Sequence, residues 1–403
     1  MFFRSEAQYI VIFVWLDRNN HLLPWNFLFF VLLLAVEIFK IFFLFIYGKD
    51  VMFSGLRKIS SQGLIGIDFG SNSIKAIAIS KGHGTFQIDA VAEAPITKGL
   101  IVDNHFEDIT KLSQIIKQLQ KNFPSSYKNV AIAVTGADVI TKVVAMNANL
   151  SDLELEAQVE LEAESSIPFP LDEIFLDFEV LSANAGNTEL NDILMSAARK
   201  ETVLTQVDCV ESAGLTTTIV DVASHALARA CELLFEREDY DKGIAVIDIG
   251  ASQMMLNILH QGNVIFSRSK NHGGNVCTQM MADHYGFKLP EAEKIKVEHS
   301  WPADCDIDVV APFVNMTVNH LRFDLRMFTN APNNIQVEKI ILTGGGQLMT
   351  ELVKQLEEEL DLPIEVADPF LGFEYKNEAD KALLRKEGAK YMTALGLALR
   401  GVQ

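Results

Sequence analysis

Two stretches of one type, IGIDFGSNS at residues 65–73 and AVIDIGASQ at residues 245–253, decide the fold of this chain. Each is an apolar run that leads into Asp, an apolar residue, Gly and then small residues. Each continues into a second β-rich run, IKAIAIS or MMLNILH. This pattern predicts a β-hairpin. Its recurrence about 180 residues later predicts a duplicated core with a cleft between two halves.

The hairpin residues suit a phosphate and a metal ion. Gly70 and Gly250 let a phosphate approach the backbone closely, and Asp68 and Asp248 stand at strand ends, where carboxylates can hold magnesium directly or through water. Lys75 either touches a phosphate oxygen as a point charge or is an outward-facing strand lysine. One copy alone would be an ordinary turn, whereas the pair favours a grip on a triphosphate. The small residues whose N–H groups would cradle phosphate oxygens are Ser71, Asn72, Ser73, Ala251 and Ser252.

A third element, KIILTGGGQLMTELVKQLEEEL at residues 339–360, adds a nucleoside to this interpretation. An apolar strand runs into Gly344, Gly345 and Gly346, and a helical pattern follows. A strand–Gly–helix unit lets a flat base or ribose lie against bare backbone near a helix N-terminus. The three elements together predict ATP with Mg²⁺ as the cofactor.

Composition excludes several classes of protein. The chain has 403 residues, 49% of them hydrophobic, and a net charge of −19. Residues 1–51 carry four basic and four acidic residues, so the whole excess lies in residues 52–403. A body this acidic is a poor match for nucleic acid or anionic lipid. The four cysteines, Cys209, Cys231, Cys277 and Cys305, form no CxxC pair and predict buried thiols in the reducing cytoplasm.

The N-terminal segment leaves two interpretations open. Trp25–Tyr47 is almost wholly apolar and long enough to cross a bilayer, and the basic residues after it favour a cytoplasmic body. Alternatively, Met52 is the natural start and residues 1–51 are translated upstream sequence. We favour the second interpretation, because Glu37 and Lys40 would place charges in mid-span.

The body alternates short apolar strands with helical patterns, which indicates an α/β layered fold. Helices are predicted at Asp108–Lys121, at Ser151–Ser165 with a capping box from Ser151 and Glu154, and at Thr202–Ala213. The predicted strands are Leu64–Asp68, Ile74–Ile79, Gln87–Ala92, Asn129–Val134, Asp177–Leu181 and Asp192–Ala197.

The three motifs, in this order, resemble those of the actin-like ATPase superfamily, which includes actin, sugar kinases, seventy-kilodalton chaperones and FtsA. The resemblance implies two duplicated ribonuclease-H-like halves around a nucleotide cleft. Four stretches are more specific and resemble the PilM family of type IV pilus assembly proteins. They are SSIPFPLDEIFLDFEVL (165–181), GLTTTIVDVASHALARA (214–230), QGNVIFSRSKNHGGNVCTQMM (261–281) and ADPFLGFEYKN (367–377).

The PilM resemblance implies five segments and a role. The role is a cytoplasmic ATP-binding scaffold at the bacterial inner membrane, in a type IV pilus or related secretion platform. Its implied partner is a PilN-like single-pass membrane protein, whose cytoplasmic N-terminal tail docks near the inserted domain. Other platform proteins, motor ATPases and self-association are further possibilities. The segments are the hydrophobic 1–51, a first actin-like half at 52–145 and 214–242, an inserted FtsA-like domain at 146–213 for protein contacts, and a second half with the adenosine-binding Gly motif at 243–403.

Catalysis is the least defined feature. By the resemblance, Asp221 matches the acid that positions the attacking water, but Ala223 stands where PilM sequences often carry another acid, so we expect at most slow ATP hydrolysis. The alternative for Asp221 is an N-cap of the following helix. We expect His225 and His272 to be structural.

Two other functions remain open at this point. A small-molecule kinase of the same superfamily would need a catalytic base, and Asp221 is its only candidate. An FtsA-like division scaffold would end in a basic amphipathic helix, whereas KYMTALGLALRGVQ at residues 390–403 is typical of core packing.

Overall fold

The structure, a computed structural model of the chain, describes residues 63–82, 84–183, 187–330 and 335–402. All of them belong to the second of the two units into which the chain divides, Met52–Gln403. The predicted apolar segment Trp25–Tyr47 and the proposed start at Met52 lie outside the described residues. Across the residues that are described, no helix is both long and apolar enough to cross a bilayer.

The first half is built on a six-stranded sheet with the order β10-β6-β1-β2-β3-β16. Strands β1, β2 and β3 are antiparallel neighbours, whereas β1, β6 and β10 run parallel. Two short strands, β4 (Ile101–Val102) and β5 (His105–Phe106), pair beside it. The strands of the main sheet are β1 (Leu64–Phe69), β2 (Ser73–Lys81), β3 (Phe86–Pro95), β6 (Asn129–Val134), β10 (Thr216–Val222) and β16 (Glu374–Tyr375).

The second half repeats this topology in a five-stranded sheet with the order β13-β12-β11-β14-β15. Its first three strands are again antiparallel neighbours, and β14 and β15 again join β11 in parallel. The predicted duplication is therefore confirmed. The strands are β11 (Gly243–Ile249), β12 (Met254–His260), β13 (Asn263–Lys270), β14 (Val337–Thr343) and β15 (Ile364–Val366).

Helices cover both sheets. The predicted capping box of Ser151 and Glu154 forms at the start of the second helix, and Gly214 takes a left-handed φ of 86° after the third. The helices are α1 (Ile109–Leu119), α2 (Asp152–Ser166), α3 (Lys200–Ser212), α4 (Ala223–Cys231), α5 (Gly274–Tyr285), α6 (Leu289–Glu298), α7 (Ala311–Thr329), α8 (Thr350–Leu360), α9 (Glu378–Glu387) and α10 (Met392–Leu399).

The two halves meet through the crossing of α4 and α10. A Cβ on Gly396 of α10 would lie 1.7 Å from the carbonyl oxygen of Ala226 in α4, so only glycine allows this approach. One buried cluster contains side chains of α4, α10 and both sheets, among them Ile77 and Val246. The C-terminal helix is thus part of the core, as its apolar sequence predicted.

A small subdomain stands apart from these sheets. Strands β7 (Val139–Asn147), β8 (Ile174–Ala183) and β9 (Leu190–Arg199) form an antiparallel sheet in the order β7-β9-β8, and α2 packs on it through Val159 and Ala163. The predicted insertion at 146–213 differs from this unit at both ends. The sheet begins at Val139, and α3 packs beside α1 of the first half.

Candidate functional site

In the first hairpin, the ammonium group of Lys75 lies over the turn. Asp68 of β1 pairs in register with Lys75 of β2, and the turn closes through a hydrogen bond from the Gly70 N–H to the Ser73 carbonyl oxygen at 3.1 Å. A Cβ on Gly70 would lie 2.9 Å from that oxygen and 3.5 Å from Lys75 Nζ. The Lys75 ammonium therefore lies against the turn, as the phosphate-contact interpretation requires.

The second hairpin closes in the same way, and the start of helix α5 is hydrogen-bonded to its turn. The Gly250 N–H donates to the Gln253 carbonyl oxygen at 2.8 Å. At the start of α5, the Gly274 and Asn275 N–H groups donate to the Gly250 and Ala251 carbonyl oxygens at 3.0 and 2.7 Å. A Cβ on Gly273 would lie 2.6 Å from the Gly250 oxygen. The sequence at residues 272–274, HGG, thus lets α5 dock directly on the hairpin.

The two hairpins bring two carboxyl groups together. Loss of hydration raises the pKa of Asp68, and the Lys75 ammonium partly opposes that rise. Loss of hydration and repulsion from Asp68 together raise the pKa of Asp248 to about 7, again opposed by Lys75. Two such carboxylates that share the charge of one ammonium group are short of positive charge. Their oxygens are the ligands that Mg²⁺ prefers, so these residues fit a divalent cation.

Two polar contacts join the halves across the cleft. The Asn72 and Asn275 side-chain amides form a reciprocal pair, with N–O distances of 3.2 and 3.4 Å. The Asn271 Nδ2 donates to Asp103 Oδ1 at 3.0 Å. The first hairpin therefore contacts the helix that is docked on the second hairpin.

The three glycines after β14 differ in their surroundings. Gly344 has a left-handed φ of 81°, and a Cβ there would lie 2.4 Å from Asp248 Oδ1. A Cβ on Gly346 would lie 2.6 Å from the Ile249 side chain, whereas one on Gly345 would meet nothing within 4 Å. The Gly turn thus lies directly beside the second hairpin, and Gly345 faces open space. The helix predicted after this turn is α8.

A partly buried polar network in α5 and α6 was not among the predicted site residues. Lys296 Nζ donates to the Gly274 carbonyl oxygen at 2.9 Å, to Thr278 Oγ1 at 2.6 Å and to Glu293 Oε2 at 2.7 Å. It ties α6 to the start of α5, beside the second hairpin. The spacing of Glu293 and Lys296, three residues apart on one helix, was the available sequence signal.

The other predicted phosphate-binding residues lie in or beside the two turns. Ser71 and Asn72 form the first turn, and Ala251 and Ser252 form the second. Ser73 begins β2, and its hydroxyl donates to Glu93 Oε1 at 2.6 Å. The structure therefore brings together the residues predicted in the two hairpins and the Gly turn.

Asp221 lies elsewhere, on β10, with β6 between it and β1. Its carboxylate accepts from Arg229 Nη1 at 2.9 Å, and Arg400 Nε lies 4.0 Å away. The N-cap interpretation is wrong. Asp221 is still in the strand and Val222 is the cap residue, because the turn into α4 begins one residue later. The Asp221 carboxylate is therefore engaged by arginine side chains and lies away from both hairpins.

Asp221 lines a pocket of about 170 Å³ between the small subdomain and the actin-like halves. Phe178 and Leu194 face it from the subdomain, His225 from α4, and Val264 from the second half. Desolvation lowers the pKa of His225. Its Nε2 has no hydrogen-bond partner among the residues that the structure describes.

His272 is structural, as expected. Its Nε2 lies 2.7 Å from Thr317 Oγ1, and that hydroxyl donates to the Phe313 carbonyl oxygen at 2.9 Å, so Nε2 carries the proton of the neutral ring. Burial and the neighbouring His320 and Lys270 lower the pKa of His272 to about 4. All four cysteines are buried free thiols, as predicted.

The comparisons with known proteins agree with this geometry. The sequence matches the family described as "Type IV pilus assembly protein PilM" over residues 66–402. The structure is similar to that of a PilM-PilN type IV pilus biogenesis complex, with a TM-score of 0.74 and 26% identity over 84% of this chain and 98% of the other. It shares its fold with the ethanolamine utilization protein EutJ of Carboxydothermus hydrogenoformans, at a TM-score of 0.51 and 14% identity over 85% and 91% of the two chains.

Among curated proteins, the cell division protein FtsA of Neisseria meningitidis is 23% identical over 215 residues, 47% of this chain and 49% of FtsA. The match therefore spans about half the length of that relative. The family match covers most of this chain, and the fold is that of the actin-like ATPases. The chain therefore belongs to the PilM family of type IV pilus assembly proteins.

Proposed function

We propose that this chain is a nucleotide-dependent scaffold on the cytoplasmic side of the inner membrane, in the assembly platform of a type IV pilus. ATP with Mg²⁺ binds between the two hairpins and favours one closure of the two halves. That closed state binds the cytoplasmic tail of a PilN-like membrane protein. The observation that carries this proposal is the pairing of Asp68 and Asp248 beside Lys75.

The two hairpins and the Gly turn would each bind a different part of the nucleotide. Asp68 and Asp248 would hold the metal ion, directly or through water, while Lys75 and the N–H groups of the two turns would face the phosphates. The open space at Gly345 would take the base or ribose. When bound, the metal ion neutralises the phosphates and both carboxylates.

The experiment is a thermal shift of the full chain with ATP and Mg²⁺. A ligand that binds only the folded state raises the melting temperature. We expect Gly345→Val to abolish the rise while leaving the ligand-free melting temperature unchanged, because its Cβ contacts no protein atom within 4 Å. Asp68→Ala should abolish the rise through the metal ion. Gly82→Val is the matched control, since Gly82 is exposed outside the site, has no left-handed φ, and would place its Cβ no closer than 3.5 Å to a neighbouring atom. A full shift in both site variants would refute the assignment.

Turnover is proposed to be slow, because the candidate catalytic acid Asp221 lies on β10, away from the two hairpins. Asp221, the one candidate, is paired with Arg229 in another pocket. This pairing also weighs against the small-molecule kinase, which would need Asp221 as its base.

The proposed partner site is the pocket between the small subdomain and the first half. We assign the subdomain to 139–199, because those residues form its sheet and cover it. An extended tail with Leu-Leu-Pro-Trp would bury apolar side chains against Phe178 and Leu194. Gly262–Val264 of the second half also line this pocket, so closure of the two halves would change its shape.

Cell fractionation tests the partner proposal. A chain that begins at Met52 should be soluble alone and membrane-bound only when its PilN-like partner is co-expressed. Membrane association of that chain without the partner would mean that the body contacts lipid itself. Association of the full chain alone, with no effect of the partner, would contradict the proposal.

A further inference from the structure

Helix α2 of the small subdomain has two apolar rows on opposite sides. Leu155, Val159 and Ala163 follow each other at intervals of four and pack on the subdomain sheet. Leu153, Ala157 and Leu161 form a second row, which starts two residues earlier and so lies about 200° around the helix. Leu153 and Leu161 are 79% and 65% exposed. A regular exposed row of this kind indicates an interaction surface rather than scattered apolar residues.

The same helix is uniformly acidic. Asp152–Ser166 contains no basic residue, and of its acidic side chains Glu162 pairs with Lys142 of the neighbouring strand. The exposed leucines are thus bordered by carboxylates, among them Glu156, Glu160 and Glu164. A partner for this face must combine apolar and basic side chains.

The second half carries such a surface on α7 and the edge strand β13. Met316, Phe323 and Met327 of α7 are 38%, 55% and 43% exposed, at spacings that place them on one side of the helix. Arg268 and Lys270 of β13 lie beside this row. Their charged groups lie 5.8 and 5.2 Å from the centroid of the Phe323 ring.

The β13 side of this surface is basic, although the chain as a whole carries a charge of −19. Arg268 and Lys270 share one carboxylate, the buried Asp324, at 3.3 and 2.9 Å. Arg326 is exposed on the same helix. Two cations that share one anion leave positive charge at the rim of an apolar row, which complements the acidic rim of the α2 row.

We propose that the exposed α2 face of one copy docks on the α7–β13 surface of a second copy. The two surfaces differ, so the contact is head-to-tail and each dimer still presents a free α2 and a free α7. A 15-residue helix is only about 22 Å long, and its face is smaller than the roughly 800 Å² per partner of a stable interface. Association is therefore weak in dilute solution and is favoured where copies are concentrated, as on a shared membrane platform.

Site-specific crosslinking of the full chain tests this proposal. Leu161→Cys and Met327→Cys each introduce a thiol at an exposed position, while the four native cysteines are buried. With a short bismaleimide, a mixture of the two variants should give dimers, and neither variant alone should. The double variant should give a ladder of larger species. Leu371→Cys, at an 85% exposed leucine, is the control and should not crosslink to either variant.

Salt and charge reversal provide a second measurement. Association of the unsubstituted chain in sedimentation should fall at least about five-fold between ~0.05 and ~0.5 M salt, because exposed charges are screened. Glu160→Arg should weaken it, and mixing with Arg326→Glu should restore it. Crosslinking of Leu161→Cys with itself would show a symmetric α2 contact and overturn the proposal. Equal crosslinking of the Leu371→Cys control, or no association at any concentration, would also overturn it.

Discussion

Asp248→Asn should stabilise the protein without nucleotide and abolish its response to Mg²⁺ and ATP. The Asp248 carboxyl has its pKa raised from 3.8 to about 7 by loss of hydration and by repulsion from Asp68. An acid whose pKa is higher in the folded than in the unfolded state contributes its full stability below the unfolded-state pKa. That contribution is lost as the pH rises through the folded-state pKa. Asparagine resembles the protonated acid at every pH and removes this loss.

The size of the effect follows from the two pKa values. A carboxyl that titrates at about 7 rather than 3.8 costs the folded state at most about 4 kcal/mol at pH 8 and about 1.7 kcal/mol at pH 5. Water on the open side of the cleft reduces both figures, and we take about 2 and 1 kcal/mol as the expected gains. The variant should therefore be more strongly stabilised at pH 8 than at pH 5.

The assay is denaturant unfolding of wild type and Asp248→Asn at pH 5 and pH 8, with and without Mg²⁺ and ATP. Asp208→Asn is the control, since Asp208 is an exposed residue on α3 away from the cleft, and it should leave both stability and ligand response unchanged. Destabilisation by Asp248→Asn at pH 8 would refute the electrostatic reasoning. A normal ligand response in that variant would refute the metal-binding role.

Three further predictions follow from buried contacts. Gly396→Ala should destabilise the protein by at least about 3 kcal/mol in denaturant unfolding, because its Cβ would lie 1.7 Å from the Ala226 carbonyl oxygen. A variant as stable as the wild type would contradict the close crossing of α4 and α10. The low pKa of His272, about 4 against 6.5, means that the unfolded chain binds more protons between these values. His272 should therefore lower the stability of the wild type by about 2 kcal/mol from pH 7 to pH 5, relative to His272→Gln over the same range; the same pH dependence in both proteins would exclude this origin. ATP turnover by the wild type should stay below ~1 s⁻¹, under the enzyme median of roughly 10 s⁻¹. Asp221→Asn should turn over ATP at the same rate. Fast turnover by the wild type that is lost in Asp221→Asn would show that Asp221 is catalytic.

Local pattern was sufficient to predict the hairpins and most strands. Each Asp-x-Gly turn connects two β-rich runs, and the structure forms β1–β2 and β11–β12 there. The strands at Val139–Asn147 and Thr216–Val222 were not predicted. Nothing in their local composition shows whether a strand joins the main sheet or begins a separate one, since that depends on pairing with distant residues.

Tertiary contacts explain the remaining differences. The family resemblance placed helix α3 with the insertion at 146–213, but this helix packs beside α1 of the first half. The environment of Asp221 depends on Arg229 and on Arg400, which lies far along the chain. Gly273 is required because α5 docks on the second hairpin, where a Cβ would lie 2.6 Å from the Gly250 carbonyl oxygen. Contacts between residues distant in sequence have no signature in a local window.

Coupling between nucleotide and partner is the most direct test of the scaffold proposal. The measurement is the affinity of the full chain for a PilN-like tail peptide with Leu-Leu-Pro-Trp, with and without Mg²⁺ and ATP. The pocket is lined by both halves, so we predict that nucleotide tightens peptide binding at least about five-fold, within the usual range of such coupling. Gly345→Val should bind the peptide equally in both conditions. Equal wild-type affinity with and without nucleotide would contradict a nucleotide-dependent scaffold.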